Sequence, residues 1–153
     1  MADWVAGIGS VAAVSATVYF GWKQREDLLP KLRISTTGVL VQLSGAPVPT
    51  FAVRFANTGS TPIELRGLLF HSKHSDQALW VTDGMLLAAS DPFNTTLMPG
   101  KGANIIFARS GLDALKGYVK HHCSGKTDDL KVTASGTVKD FTADVDPMIP
   151  KIQ

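Results

Sequence analysis

One cysteine, Cys123, is all the thiol this 153-residue chain carries, so an internal disulfide is excluded. That agrees with a reducing compartment. No Cys-x-x-Cys pair is present, so the usual structural zinc knuckle is missing. Lysine and arginine occur without a run and without interleaved aromatics. The formal net charge is only +2. Together these features speak against nucleic acid as a partner. Internal repeats and low-complexity segments are missing too. The glycines make no phosphate loop: Gly7-Ile8-Gly9 lies in an apolar run, and Pro99-Gly100-Lys101-Gly102 leads into a strand instead of a helix.

The most telling absence is of charge. From Trp4 to Trp22, 19 consecutive residues carry none. As a helix they would span roughly 29 Å, close to the thickness of a hydrocarbon core. Trp4, Tyr19 and Trp22 stand where interfacial aromatics belong. The reading is a transmembrane anchor over residues 1–22, preferred to a buried helix because no polar face is visible. A cleaved signal peptide is disfavoured because Asp3 replaces the basic leader. Lys23, Arg25, Lys31 and Arg33 follow the run. The distribution of basic residues therefore predicts a single-pass inner-membrane protein with its domain in the cytoplasm. Gly9, Ala13, Thr17 and Gly21 recur at four-residue steps, a small-residue pattern suited to helix packing or self-association in lipid.

After a polar joint (residues 23–30), residues 31–147 alternate polar and apolar over short stretches. Lys31–Ser35 and Val39–Leu43 read as strands interrupted by Gly38, with Val39, Val41 and Leu43 on one face. Phe51, Val53 and Phe55 share a face against Ala52, Arg54 and Ala56. The loop Asn57–Pro62 leads to a strand over 63–70, expected to pair with 51–55, to turn Ile63, Leu65 and Leu69 inward, and to bulge at Gly67. Further strands are expected at 79–82 (with Trp80 in the core), 94–98 and 103–108. A helix is expected over 111–122, capped by Ser110 and stopped at Gly125, and a hairpin over 130–142. Residues 148–153 read as a frayed tail. Strand spacing of roughly 8–12 residues predicts an all-β, antiparallel immunoglobulin-like β-sandwich with one short helix behind the anchor.

Asp3-Trp4, the segment Val53-Arg54-Phe55-Ala56-Asn57-Thr58-Gly59-Ser60-Thr61-Pro62-Ile63, and Leu97-Met98-Pro99-Gly100 before a strand carry a resemblance in arrangement. The chain resembles small bacterial or phage membrane proteins with an N-terminal helix and an immunoglobulin-like sandwich. That resemblance implies the sandwich and a bacterial or phage origin, with no activity and no functional residue.

His71, His74, His121, His122 and Cys123 are the candidates for metal or catalytic chemistry, by residue type alone. The usual structural zinc spacing with paired Cys-x-x-Cys knuckles is absent and nothing in the sequence forces the two segments together, so the simpler reading is a polar loop and the wet end of a helix. No catalytic residue, cofactor or metal is assigned. The expected role is non-catalytic: a membrane-anchored interaction module that contacts the bilayer and a protein partner, through the loops His71–Gln77 and Ser90–Thr96, and whose helix self-associates or docks to another membrane helix. A phage or prophage protein that blocks or senses infection, and a histidine-based metalloprotein or enzyme, are the alternatives.

Overall fold

The computed structural model describes residues 2–42 and 45–153, with side chains described from Ala13 onward. A 26-residue helix, α1 (Ala2–Asp27), leads into eight strands. These are β1 (Leu32–Val41), β2 (Val48–Asn57), β3 (Ile63–Ser72), β4 (Leu79–Trp80), β5 (Thr95–Leu97), β6 (Gly102–Ile106), β7 (Leu130–Gly136) and β8 (Phe141–Asp144). A second helix, α2 (Arg109–His122), lies between β6 and β7. One sheet has the order β1-β2-β6. The other runs β4-β3-β7-β8, with β5 also pairing β3.

The expected all-β immunoglobulin-like sandwich behind a transmembrane helix is therefore corrected. The chain is a mixed α/β fold of two helices and two sheets, with helices of 26 and 14 residues. Among the described residues no helix is long and apolar enough to cross a membrane. The uncharged stretch is diluted by ten alanine, glycine, serine and threonine residues among its 19. The helix also runs on through Lys23, Arg25, Glu26 and Asp27 instead of ending at Trp22.

The core lies between the sheets. Phe51 of β2 stacks on Phe107 (centroids 4.2 Å apart, planes at 11°), and Phe70 of β3 meets both rings edge-on. Such aromatic pairs add about 0.5–1.5 kcal/mol each beyond their area. Phe51, Val53 and Phe55 do point inward from β2, with Arg54 exposed. β2 does not pair with β3, however. It sits between β1 and β6, with Val53 opposite Thr36 and Ile105, and faces β3 across the core. Periodicity fixes a strand's buried face but says nothing about which edge it shares.

Two further corrections follow from β3. The register shifts between Leu65 and Gly67, so Leu68 and Phe70 turn inward and Leu69 does not. One extra residue in a period-two ladder reverses every side chain beyond it. Trp80, expected in the core, is 59% exposed and lies over Gly67, where a Cβ would be 3.6 Å from its ring. Gly38 does not break a strand either: β1 passes through it, opposite Phe51. Val39 and Val41 share the half-buried side of β1. Leu43, assigned to that same face, lies outside the described residues.

The segment 87–91 covers the outer edge of β6. Leu87 and Asp91 N–H donate to the Ile106 and Asn104 carbonyls, and Asn104 N–H donates to the Asp91 carboxylate at 2.7 Å. This occupies an edge that would otherwise invite another strand. Helix α2 closes one end of the core with Leu112, Leu115 and Val119 buried. Its N-cap is Ala108, without a side-chain cap, because the Ser110 hydroxyl donates to the Gly84 carbonyl instead. Gly125, at φ +74°, ends it by donating to the Val119 carbonyl at 2.9 Å. The tail is not frayed: Ile149 is 1% exposed in the core.

Candidate functional site

The connection from β2 to β3 carries the sequence Asn57-Thr58-Gly59-Ser60-Thr61-Pro62, rich in side chains that bond to backbone. Asn57 is 1% exposed. Its amide nitrogen donates to the carbonyls of Thr61 and Leu97, both at 2.8 Å, and its oxygen accepts from Gly59 N–H at 3.0 Å. The loop thereby becomes a rigid support. The support grips the end of α1, where helical carbonyls have run out of intrahelical donors. The Ser60 hydroxyl donates to the Asp27 carbonyl at 2.5 Å and the Thr61 hydroxyl to the Leu28 carbonyl at 2.6 Å. Thr58 N–H donates to the Lys31 carbonyl at 2.9 Å. Gly59 must be glycine because a Cβ there would lie 2.8 Å from the Lys31 nitrogen.

Beside this grip opens a groove of about 500 Å³. Leu28, Leu29 and Pro30 form the helix side. Pro62, Ile63, Val138 and Phe141 form most of the domain side, with Glu64 and Lys139 at polar positions in the lining. Leu28, Leu29 and Val138 are 66%, 56% and 83% exposed. The Glu64 carboxylate accepts from the Thr137 hydroxyl at 2.8 Å and lies 3.7 Å from the Arg66 guanidinium. Lys139 makes no ion pair among the described residues, and its ammonium sits 5.8 Å from the Phe141 ring centre.

The groove lies at the foot of α1, whose last residue, Asp27, directly precedes Leu28. Every residue from Ala13 to Leu29 is exposed, including Val14, Val18, Tyr19, Phe20 and Trp22. Tyr19 and Phe20 meet each other edge-on at 5.9 Å. Of the small-residue series, Ala13 and Thr17 are joined within the helix, the Thr17 hydroxyl donating to the Ala13 carbonyl at 2.8 Å. Nothing lies within 4 Å of a Cβ built on Gly21. The side chain of Trp4 and the surroundings of Gly9 fall outside the described residues.

The histidines fall in two places: His71 near the end of β3 with His74 in the loop after it, and His121 and His122 at the exposed end of α2. His71 Nε2 is 3.0 Å from the Thr133 hydroxyl, which in turn meets the Thr142 hydroxyl at 2.7 Å. His74 Nε2 is 3.2 Å from Asp128, so the loop after β3 and the turn before β7 do come together. Lys73 joins them: its backbone N–H donates to the Asp129 carboxylate at 3.1 Å. Asp128 is held below the ordinary carboxylate range first by its own backbone N–H, then by His74 and Lys73. His121 and His122 are exposed, and the His122 ring stacks on Tyr118 at 5.7 Å. Cys123 is fully buried. Among the described residues no three His, Cys, Asp or Glu side chains could hold a metal ion.

Sequence reasoning missed the groove. The signal available was the apolar pair Leu28-Leu29 in a joint read as polar, and Val138 in a turn. Neither reveals that the two segments line one groove. Compared with known proteins, the chain matches no family model, no curated protein and no solved structure.

Proposed function

We propose that this protein is a non-catalytic interaction module that docks on a lipid surface through α1 and presents its β-rich domain there to a protein partner. The observation that carries the reading is the exposure of α1: Val14, Val18, Phe20 and Trp22 are each 60–73% exposed and no part of the domain covers them. Burying a large apolar side chain gains about 1.5–3 kcal/mol. Val14, Val18 and Trp22, at four-residue steps on one face of the helix, would together contribute roughly 5–9 kcal/mol toward docking. Lys23, Arg25, Lys31 and Arg33 at the helix foot suit anionic headgroups, each worth about 1 kcal/mol near such a surface. The same residues favour the inner face of the cytoplasmic membrane. His71 and His74 are engaged within the fold, His71 with Thr133 of β7 and His74 with Asp128, which fits a non-catalytic reading.

Flotation of full-length protein with vesicles of phosphatidylglycerol and phosphatidylcholine tests the reading. The wild type should float, and the combined substitution of Val14, Val18 and Phe20 by glutamate should leave it at the bottom of the gradient. A wild type that stays at the bottom, or a variant that floats equally, would refute lipid docking.

A further inference from the structure

We infer that the groove at the foot of α1 receives one acyl chain of an anionic phospholipid, whose headgroup meets Lys139. The inference rests on the lipid docking proposed above and assigns it a second contact.

The groove's size lies within the range of built ligand sites, roughly 300–1,000 Å³. Its walls are hydrocarbon from two separate segments, Leu28 and Leu29 on one side and Pro62, Val138 and Phe141 on the other. A hairpin loop normally carries polar tips. Here Val138 is apolar and 83% exposed, a cost that an apolar occupant removes. Leu28 and Leu29 of the groove wall follow directly on Asp27, the last residue of α1, so the groove lies beside the foot of the exposed helix.

Charge selects the headgroup. Glu64, the acid in the lining, is already engaged by Thr137 and Arg66. Lys139 is the lining's cation, held over Phe141 without an ion-pair partner among the described residues. A peptide could not add to β3, both of whose edges beside the groove are taken, by β5 at Ile63 and by β7 at Leu65.

The test uses full-length protein on phosphatidylglycerol–phosphatidylcholine vesicles that carry a phospholipid with a photoreactive group at its acyl-chain end. After irradiation the adducts are mapped by mass spectrometry. Adducts are expected on the peptides containing Pro62–Glu64 and Thr137–Phe141 as well as on α1. Val138→Glu, an exposed substitution that leaves the core untouched, should abolish the groove adducts and leave those on α1. Lys139→Glu should lower groove adducts about fivefold on anionic vesicles, with little change on purely zwitterionic ones. Adducts confined to α1 would overturn the groove assignment while lipid docking stands. Crosslinks from the groove to a second copy of the chain would overturn it in favour of self-association. Absence of adducts on protein that binds the vesicles would overturn the groove assignment while lipid docking stands, and failure of the protein to bind vesicles would remove both proposals.

Discussion

Replacing Asn57 with alanine tests whether the β2–β3 loop is the support on which the helix foot rests. The substitution leaves the Thr61 and Leu97 carbonyls and the Gly59 N–H without their partner. At about 1 kcal/mol for each lost bond, with the groups already inside the protein, the loss is about 3 kcal/mol. Whole domains are stable by only about 5–15 kcal/mol. In urea, with a slope of about 1.5 kcal/mol per molar, the unfolding midpoint should fall by about 2 M. Hydrogen exchange should then quicken first at Thr58 and Gly59, whose N–H groups reach Lys31. Asn57→Asp sharpens the test. It keeps an acceptor for Gly59 but aims a second acceptor at two carbonyls, so at neutral pH it should be less stable than the alanine variant. Burial among acceptors raises that carboxyl's pKa in the folded state. Stability should therefore recover as pH falls through the raised value, because the protonated carboxyl donates to one carbonyl. A midpoint shift below about 0.3 M for the alanine variant, or wild-type stability for the aspartate variant at pH 7, would refute the argument.

Val53→Asp should cost more than about 3 kcal/mol, because Val53 is fully buried, while Arg54→Asp on the exposed face should stay within about 0.5 kcal/mol; equal denaturation midpoints would mean the facing of β2 is wrong. Gly111→Val should destabilise strongly, since a Cβ there would sit 2.5 Å from the Met85 carbonyl and 2.8 Å from the Phe107 ring; unchanged thermal unfolding would show that the start of α2 can shift. Tyr118 has its pKa raised above 10.0, chiefly by burial, and its hydroxyl donates to the Gln77 carbonyl at 2.6 Å. The folded state therefore holds this proton more tightly than the unfolded state. The resulting stability is complete below pH 10 and is lost as pH rises through the raised value. An ultraviolet absorbance titration should show a late-ionising tyrosine that disappears in Tyr118→Phe, and an unchanged curve would refute it.

Much of this molecule was legible along the chain. Alternation over 51–55 identified the buried face of β2, because a strand's side chains alternate whatever it pairs with. Spacing over 112–119 located α2, and Gly125 marked its end, because helix termination is settled within a few residues. The same locality explains what failed. Whether β2 pairs with β3 or faces it depends on where a six-residue loop carries the chain. That path is fixed by Asn57 reaching Leu97, 40 residues away. The inward turn of Leu68 in place of Leu69 depends on a bulge whose partner strand comes some 65 residues later, as Gly67 meets Ser135. The absence of charge between Trp4 and Trp22 is a local property, visible without a fold. That the helix continues to Asp27, is gripped there by Ser60 and Thr61, and opens a groove toward Val138 required the folded chain. Composition and period record what each residue prefers to be buried against. Only long-range contacts, each paid for in loop-closure entropy, decide which segments meet.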